Sequence, residues 1–390
     1  MKKLAIYKIG IKNCIACYAC FNVCEYEAII MEMTADGFYK PNIIEEKCVD
    51  CGICVLKCPV INPEYLNETE AQFFMAWSKN KEIRRASSSG GMFSEIAESV
   101  LAQGGEVYGA AWDENLEVKH IKVASSDNLA LLRGSKYLQS KVNKSYKTIK
   151  DTIEKTAKKI LFVGTPCQIA AIKKIVKDDR LLTCDLLCHG IPSYIPFKSY
   201  LAGMEDQIKK VNFRDKCTGW TNYSISLIGE KGTYSKVHTQ DRFFMGFLKD
   251  YYLNEACYDC LFNRLPRQGD ITLGDFWGID NKDDKNNQGV SVVIANNKKG
   301  YEVLTSLERD QKIELKKVDQ VLACKSNPRI YSGELMRPEK RDYIINDIKK
   351  FGFTSVAEKE IHISSDLGRK LKRTIIYLIK FFKDKKKKRN

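Results

Sequence analysis

The chain has 390 residues, 44% hydrophobic and 29% charged, which is enough to bury a real core and excludes a disordered or fibrous chain. Its net charge of +15 suggests nucleic acid only until the charge is located. Residues 369–390 hold eleven Lys or Arg and one Asp, a net +10, which leaves +5 on residues 1–368, so no nucleic-acid partner is expected. Lys8 and Lys12 interrupt the apolar N-terminus too early for a signal-peptide core, and no run of 18 apolar residues exists. With fifteen cysteines, these features suggest a cytoplasmic, reduced, metal-binding chain rather than a secreted disulfide scaffold.

Residues 1–66 read as one cysteine-dense unit whose halves repeat, CIACYACFNVCEYEAI against CVDCGICVLKCPVIN. Between them Asp36-Gly37 marks the turn of a hairpin. The spacing Cys14-x2-Cys17-x2-Cys20-x3-Cys24 recurs as Cys48-x2-Cys51-x2-Cys54-x3-Cys58-Pro59. This is the arrangement of bacterial ferredoxins with two 4Fe–4S clusters, in which the fourth cysteine of each run ligates the other cluster. Three thiolates on one tight loop cap three irons of a cube, and the fourth iron needs a ligand from elsewhere. Cys14, Cys17, Cys20 and Cys58 are therefore expected at one cluster, and Cys48, Cys51, Cys54 and Cys24 at the other. Glu25 stands where proline usually follows, a departure that leaves ligation intact. Zinc sites use four ligands in pairs and do not need two such runs.

Asn62, Pro63 and Asn67 mark a boundary, and from Gln72 the texture becomes mixed. Strands are predicted at FFMAWS, EVYGAAW, KKILFVG, LLTCDLL, YSISLIG, ITLGDFWG and VSVVIAN. A helix opens at SSSGG and closes at Gly104-Gly105, and another follows GTPCQ. Residues 280–289 read as an exposed polar loop. The fold class expected is α+β, a two-cluster ferredoxin-type module followed by a larger mixed α/β domain, which the resemblance given below implies to be flavin-binding. The domains are placed at 1–66, 72–345 and 346–390. Beyond the first unit, Cys257-x2-Cys260 forms a ligand-like pair, while Cys167 and Cys188 each follow an apolar strand. Together they could hold a third cluster, with Cys184 and Cys217 as competitors; a buried free cysteine is the bland reading of each.

Ser87-Ser88-Ser89-Gly90-Gly91, Gly134-Ser135-Lys136-Tyr137, GTPCQ at 164–168, DLLCHGIPS at 185–193, FRDK at 213–216 and DITLGDFWG at 270–278 together resemble the beta-subunit family of coenzyme F420-reducing hydrogenase and F420-linked dehydrogenases. The resemblance implies FAD, with a third 4Fe–4S cluster on Cys167, Cys188, Cys257 and Cys260. It implies hydride exchange with coenzyme F420 or another organic hydride donor or acceptor, flavin being able to hold one electron or two. The flavin contacts expected are Ser88, Ser89, Gly90, Gly91, Lys136, Tyr137, Gly164, Thr165, Gln168, Arg214 and Lys216. Taken alone, the serine–glycine turn is equally an ordinary helix cap, and the lysines and arginine ordinary surface residues. His189 is read as a structural neighbour of Cys188, and no general acid or base stands out. The partner expected is a one-electron carrier or redox enzyme. A non-catalytic electron relay is the competing function. In the tail, Leu371, Ile375, Leu378, Ile379 and Phe382 would share one face of a helix ringed by lysines, which suggests peripheral contact with the inner face of a membrane.

Overall fold

The computed structural model describes residues 6–10, 12–67, 71–279 and 284–363. The helical tail expected at 369–390 lies outside them. Among the described residues no helix is long and apolar enough to cross a membrane.

The N-terminal unit runs α1 (Ala19–Val23), β1 (Ile29–Met33), β2 (Tyr39–Ile43) and α2 (Ile53–Leu56). The two strands pair antiparallel as the repeat implied, and Gly37 at φ +83° makes the turn. Next come β3 (Gln72–Ser78), α3 (Lys81–Ala86), α4 (Met92–Leu101), β4 (Glu106–Trp112), β5 (Val118–Val123), α5 (Ser145–Lys155), β6 (Ile160–Gly164), α6 (Pro166–Ile175), β7 (Leu181–Leu186) and α7 (Tyr194–Ala202). The chain continues through β8 (Ile208–Asp215), β9 (Ser224–Gly229), β10 (Thr233–Val237), α8 (Arg242–Leu248), β11 (Ile271–Asp275) and β12 (Ser291–Ala295). It ends in α9 (Lys298–Arg309), β13 (Ile313–Val318), α10 (Gln320–Lys325), α11 (Arg341–Phe351) and α12 (Phe353–Glu360).

Eight strands form one sheet in the order β13-β3-β12-β11-β7-β6-β4-β5. Its middle, β11-β7-β6-β4, is parallel, and both flanks are antiparallel. Parallel strands are covered on both faces, so β6 is apolar and buried at every position. Its side chains alternate between two cores. Leu161 and Val163 pack with Met92, Ile96 and Leu304 of α4 and α9. Ile160 and Phe162 pack with Tyr146, Ile169 and Ile172 of α5 and α6, and with Cys17, Tyr18 and Ala19 of the N-terminal unit. That unit is thus part of the body's core. Gln139 fastens it further, accepting from the Tyr39 amide at 2.8 Å and donating to the Tyr39 carbonyl at 2.9 Å.

A second, three-stranded sheet, β10-β9-β8, packs with α7 and α8 around an aromatic core of Tyr194, Phe197, Phe213, Phe243, Phe244 and Phe247. Here the expected domain boundary needs correcting. Residues 345 and 346 lie inside α11, and Ile344, Ile345, Ile348, Phe353, Val356 and Ile361 all pack into the aromatic core. The i, i+1, i+4 spacing of the isoleucines gives α11 an apolar stripe that must be buried. The body therefore extends at least to Ile361.

Candidate redox site

The two cysteine runs enclose two small cavities. One is lined by Cys14, Cys17, Cys20 and Cys58, the other by Cys24, Cys48, Cys51 and Cys54. The fourth cysteine of each run has crossed to the other cavity, as the spacing required. All four thiols of the first set are buried. In the second set Cys51 is exposed and the others half-buried, which makes it the outer of the two. Burial, then repulsion from Cys58, Cys20 and Cys14, pushes the Cys17 thiol well above its ordinary pKa. A bound cation would supply the charge that lets such thiols ionise.

Cys167, Cys188, Cys257 and Cys260 come together as a third set. Burial raises Cys167 first, followed by the charges of Cys260 and Cys188, and Cys17 also lies within reach. Burial likewise raises Cys257, with Cys188, Cys260 and Cys167 adding to it. Two competitors fall away. Cys184 faces the core beneath α4 from inside β7, near Asp185 and Asp270, and Cys217 is exposed after β8. Among the described residues no three of His, Cys, Asp or Glu converge as one metal ion would require. That holds for the eight N-terminal cysteines too, and a cube asks instead for one thiolate at each of four corners.

Beside the third set opens a cavity of about 270 Å³. Its wall includes Ile15 and Ala16 of the first cysteine loop, Cys167, Cys188 and His189, and the serine–glycine loop ahead of α4. Of the flavin contacts expected, Ser88, Ser89, Gly91, Lys136, Tyr137, Gly164, Thr165 and Gln168 line it. Ser88 accepts from the Ser135 amide at 2.9 Å and joins two of the recognised segments. Like the start of any helix, the first turn of α4 has amides with no partner inside the helix, and Met92 and Phe93 bring it to the wall. The hydroxyls and amides at this end suit an anion, and Leu132, Leu138, Val163, Leu187 and Leu273 make apolar walls suited to a flat ring.

Three expected contacts do not reach the cavity. Gly90 packs against the sheet, where a Cβ would sit 2.5 Å from the Ala76 carbonyl. Arg214 is buried, stacks 3.8 Å over the Tyr223 ring and pairs with Asp275 at 2.9 Å. Burial opposes its charge, but Asp275, Tyr137 and Tyr223 together outweigh burial and hold the guanidinium above its ordinary value. Lys216 donates to the carbonyls of Arg84, Ser89 and Gln288 at 2.8, 2.6 and 2.6 Å, so it clamps the serine loop from behind. Other residues on the wall are also engaged elsewhere. Ser89 Oγ donates to the Val290 carbonyl at 2.9 Å. Lys136 donates to the carbonyls of Leu131, Leu132 and Arg133 at 3.3, 3.0 and 2.7 Å, and burial pulls its pKa down to about 7. Gln168 accepts from the Thr165 amide at 3.0 Å and so caps α6.

His120 lines the cavity and was not singled out in the sequence, where it is one histidine in a lysine-rich strand. Its Nδ1 lies 2.7 Å from Ser140 Oγ, its Nε2 lies 3.0 Å from the Val163 carbonyl, and its ring stacks on Phe162. A carbonyl only accepts, so Nε2 carries the proton and Nδ1 accepts from Ser140. Burial depresses its pKa to about 4. The unfolded chain then binds a proton near pH 6.5 while the folded chain stays neutral. Stability is expected to fall by on the order of 3 kcal/mol as pH drops from about 6.5 to about 4. The difference between the pH–stability profiles of wild type and His120→Gln measures this; parallel profiles through that window would refute it. His189, read as a neighbour of Cys188, is held at Nε2 by Asp250 Oδ1 at 2.7 Å.

Comparison with known proteins places family matches along most of the chain. Residues 13–62 match the 4Fe-4S dicluster domain. Residues 73–147 and 157–321 match the coenzyme F420 hydrogenase/dehydrogenase beta subunit, N-terminal and C-terminal parts, which together cover more than half of the chain. The ferredoxin-type protein NapF of Escherichia coli K12 is 40% identical over 55 residues, 14% of this chain and 34% of that protein. NapF of the O6:H1 and O157:H7 strains matches to the same extent. The chain thus spans about a third of the length of the curated relatives it matches. A chain of the F420-reducing nickel–iron hydrogenase complex from Methanosarcina barkeri superposes at a TM-score of 0.49 with 19% identity, over 73% of this chain and 94% of that one.

Proposed function

Because this chain belongs to the coenzyme F420 hydrogenase/dehydrogenase beta-subunit family and carries a 4Fe–4S dicluster unit, we propose that it is an iron–sulfur flavoprotein oxidoreductase with three 4Fe–4S clusters and FAD. The outer, inner and third cysteine sets would each hold a cluster, and these would supply single-electron transfer between an external one-electron carrier or redox enzyme and the large cavity. FAD, when bound there, supplies the exchange between single electrons and a hydride, given to or taken from coenzyme F420 or another organic substrate. The residues of this chain orient and seal. Ser88 and the first-turn amides of α4 would receive a pyrophosphate, while Lys216 and Arg214 hold that loop in place from outside and Ser89 ties it to the Val290 carbonyl. Thr165 Oγ1 lies 3.0 Å from Cys167 Sγ and fixes that thiol at the wall. The observation that carries the reading is one cavity wall shared by Ala16 of the first cysteine loop, Cys167, Cys188 and the serine–glycine loop. A pure relay needs no such chamber. All fifteen cysteines are free of disulfides, in keeping with a reducing, cytoplasmic setting.

Anaerobic titration of the cluster- and FAD-loaded protein with reduced coenzyme F420, beside a dithionite sample, tests this. Bleaching of flavin and cluster absorbance by both reductants is expected. Bleaching by dithionite alone discards coenzyme F420 and keeps the internal wire. Failure to retain FAD discards the flavoprotein and leaves the relay.

A further inference from the structure

Charge is distributed unevenly around the three cysteine sets. Beside the inner set, Lys40 acts on Cys14 and also feels Asp36, while Lys174 acts on Cys58 and is paired with Glu64 at 2.6 Å. The outer cavity is lined by Glu25 and Asp50 beside its four cysteines. Around the third set stand three arginines. Arg264 donates to the Cys260 carbonyl at 3.1 Å and faces Asp259 at 3.7 Å. Arg267 donates to the Leu186 carbonyl at 3.1 Å and is paired with Asp185 at 3.2 Å, both side chains fully buried. Arg329 differs. Its guanidinium donates to the carbonyls of Cys188, Ser332, Gly333 and Glu334 at 3.2, 3.3, 2.7 and 3.4 Å and, among the described residues, to no carboxylate. The Gly333 carbonyl that it grips also accepts from the Cys260 amide at 3.0 Å. One planar fork therefore ties together the backbones that carry two of the four thiols.

An arginine keeps its charge at any pH a protein meets, and here two of three guanidiniums are neutralised by carboxylates while the third is not. The potential of an iron–sulfur cluster follows the local net charge, the hydrogen bonds around its sulfurs and its exposure. A fixed cation favours the more negative, reduced cluster, and a half-buried position screens it less than bulk water would. We infer that Arg329 sets the third cluster at a higher reduction potential than the two N-terminal clusters, so that electrons entering on the Cys51 side come to rest beside the large cavity. This rests on the third cluster proposed above. In the step concerned, the inner N-terminal cluster loses one electron and the third cluster gains it; no bond or proton is exchanged. The gap between the two is fixed rather than diffusive, because the buried Tyr146 hydroxyl lies 3.0 Å from the Cys17 carbonyl and 3.2 Å from that of Gln168.

The test is an anaerobic, EPR-monitored redox titration of the full-length, cluster-loaded protein as wild type, Arg329→Gln and Arg329→Lys, with iron counted in each. Wild type is expected to show a third signal that titrates at the highest potential of the three. In Arg329→Gln the reduced-to-oxidised ratio of that signal at fixed potential should fall about tenfold, equivalent to about 59 mV for one electron, with the other two unmoved. Arg329→Lys keeps the charge and loses the fork, and should titrate close to wild type. An unmoved third signal in Arg329→Gln overturns the inference, as does an equal displacement of all three signals or an equal loss in the lysine variant. Wild type with only two clusters' iron overturns the third-cluster reading itself, which is a different and recognisable failure.

Discussion

Replacing Cys257 with alanine is expected to remove about four irons per chain, the content of one cluster, and to stop electrons from an external carrier reaching the flavin. Cys257 lies in the third set, within electrostatic reach of Cys188, Cys260 and Cys167, and outside both N-terminal cavities. The two N-terminal clusters should therefore remain, and a hydride donor acting directly at the large cavity should still bleach the flavin. Iron analysis combined with stopped-flow reduction by a reduced ferredoxin-type carrier separates the two effects. Unchanged iron content would remove Cys257 from the ligand set. Lost iron with carrier-driven reduction at the wild-type rate would mean that electrons cross directly from the first cysteine loop, whose Ile15 and Ala16 also line the cavity.

Arg267→Ala is expected to destabilise the fold by about 3–5 kcal/mol, the usual cost of stranding one partner of a buried ion pair. Neither Arg267 nor Asp185 is exposed, and the pair sits where β7 ends and the loop towards Cys188 begins. Among the described residues, removing Arg267 leaves the Asp185 carboxylate hydrogen-bonded to the Gln268 and Gly269 amides, at 3.1 and 3.0 Å, with Lys173 within electrostatic reach. It also strips a donor from the Leu186 carbonyl and one from Asn263 Oδ1. Guanidinium unfolding of the cluster-loaded protein under reductant gives the comparison. The double variant Asp185→Asn with Arg267→Met should lose less than Arg267→Ala, since no unpaired charge remains. If the single variant unfolds at the wild-type midpoint, Asp185 is not the isolated buried charge that the geometry requires.

Some of this molecule could be read directly from its residues because the interactions concerned are local. Each run of cysteines brings three thiols to one tight loop, so their spacing alone dictates one cavity per run, and the incomplete fourth corner dictates the exchange of Cys24 and Cys58. Strands of the sheet's parallel middle were equally legible, because a strand covered on both faces becomes a continuous apolar run, as at Ile160–Gly164. Edge and outlying strands were not. Val118–Val123 and Ile313–Val318 form the two edges of the large sheet and carry lysines there, while Ile208–Asp215 bounds the small one. Charge at a sheet edge guards against pairing with another chain and blurs the pattern that would reveal a strand.

The chemistry divides along the same line. Of the eleven flavin contacts expected from sequence, eight lie on the cavity wall, but the sequence did not say what each one does there. Lys136 and Lys216 look like cofactor contacts until carbonyl oxygens take their protons, from one adjacent turn for Lys136 and from three separate segments for Lys216. Arg214 is held by Asp275, sixty-one residues away. Cys188, just past the end of β7, rather than Cys184 within it, lies near Cys167, Cys257 and Cys260, and a strand's face is decided by the layers packed against it. Its Arg329 arrives from 141 residues beyond Cys188. Short-range ligand geometry is written in consecutive residues. The partner of a single charge or thiol is decided only when distant segments are folded against it.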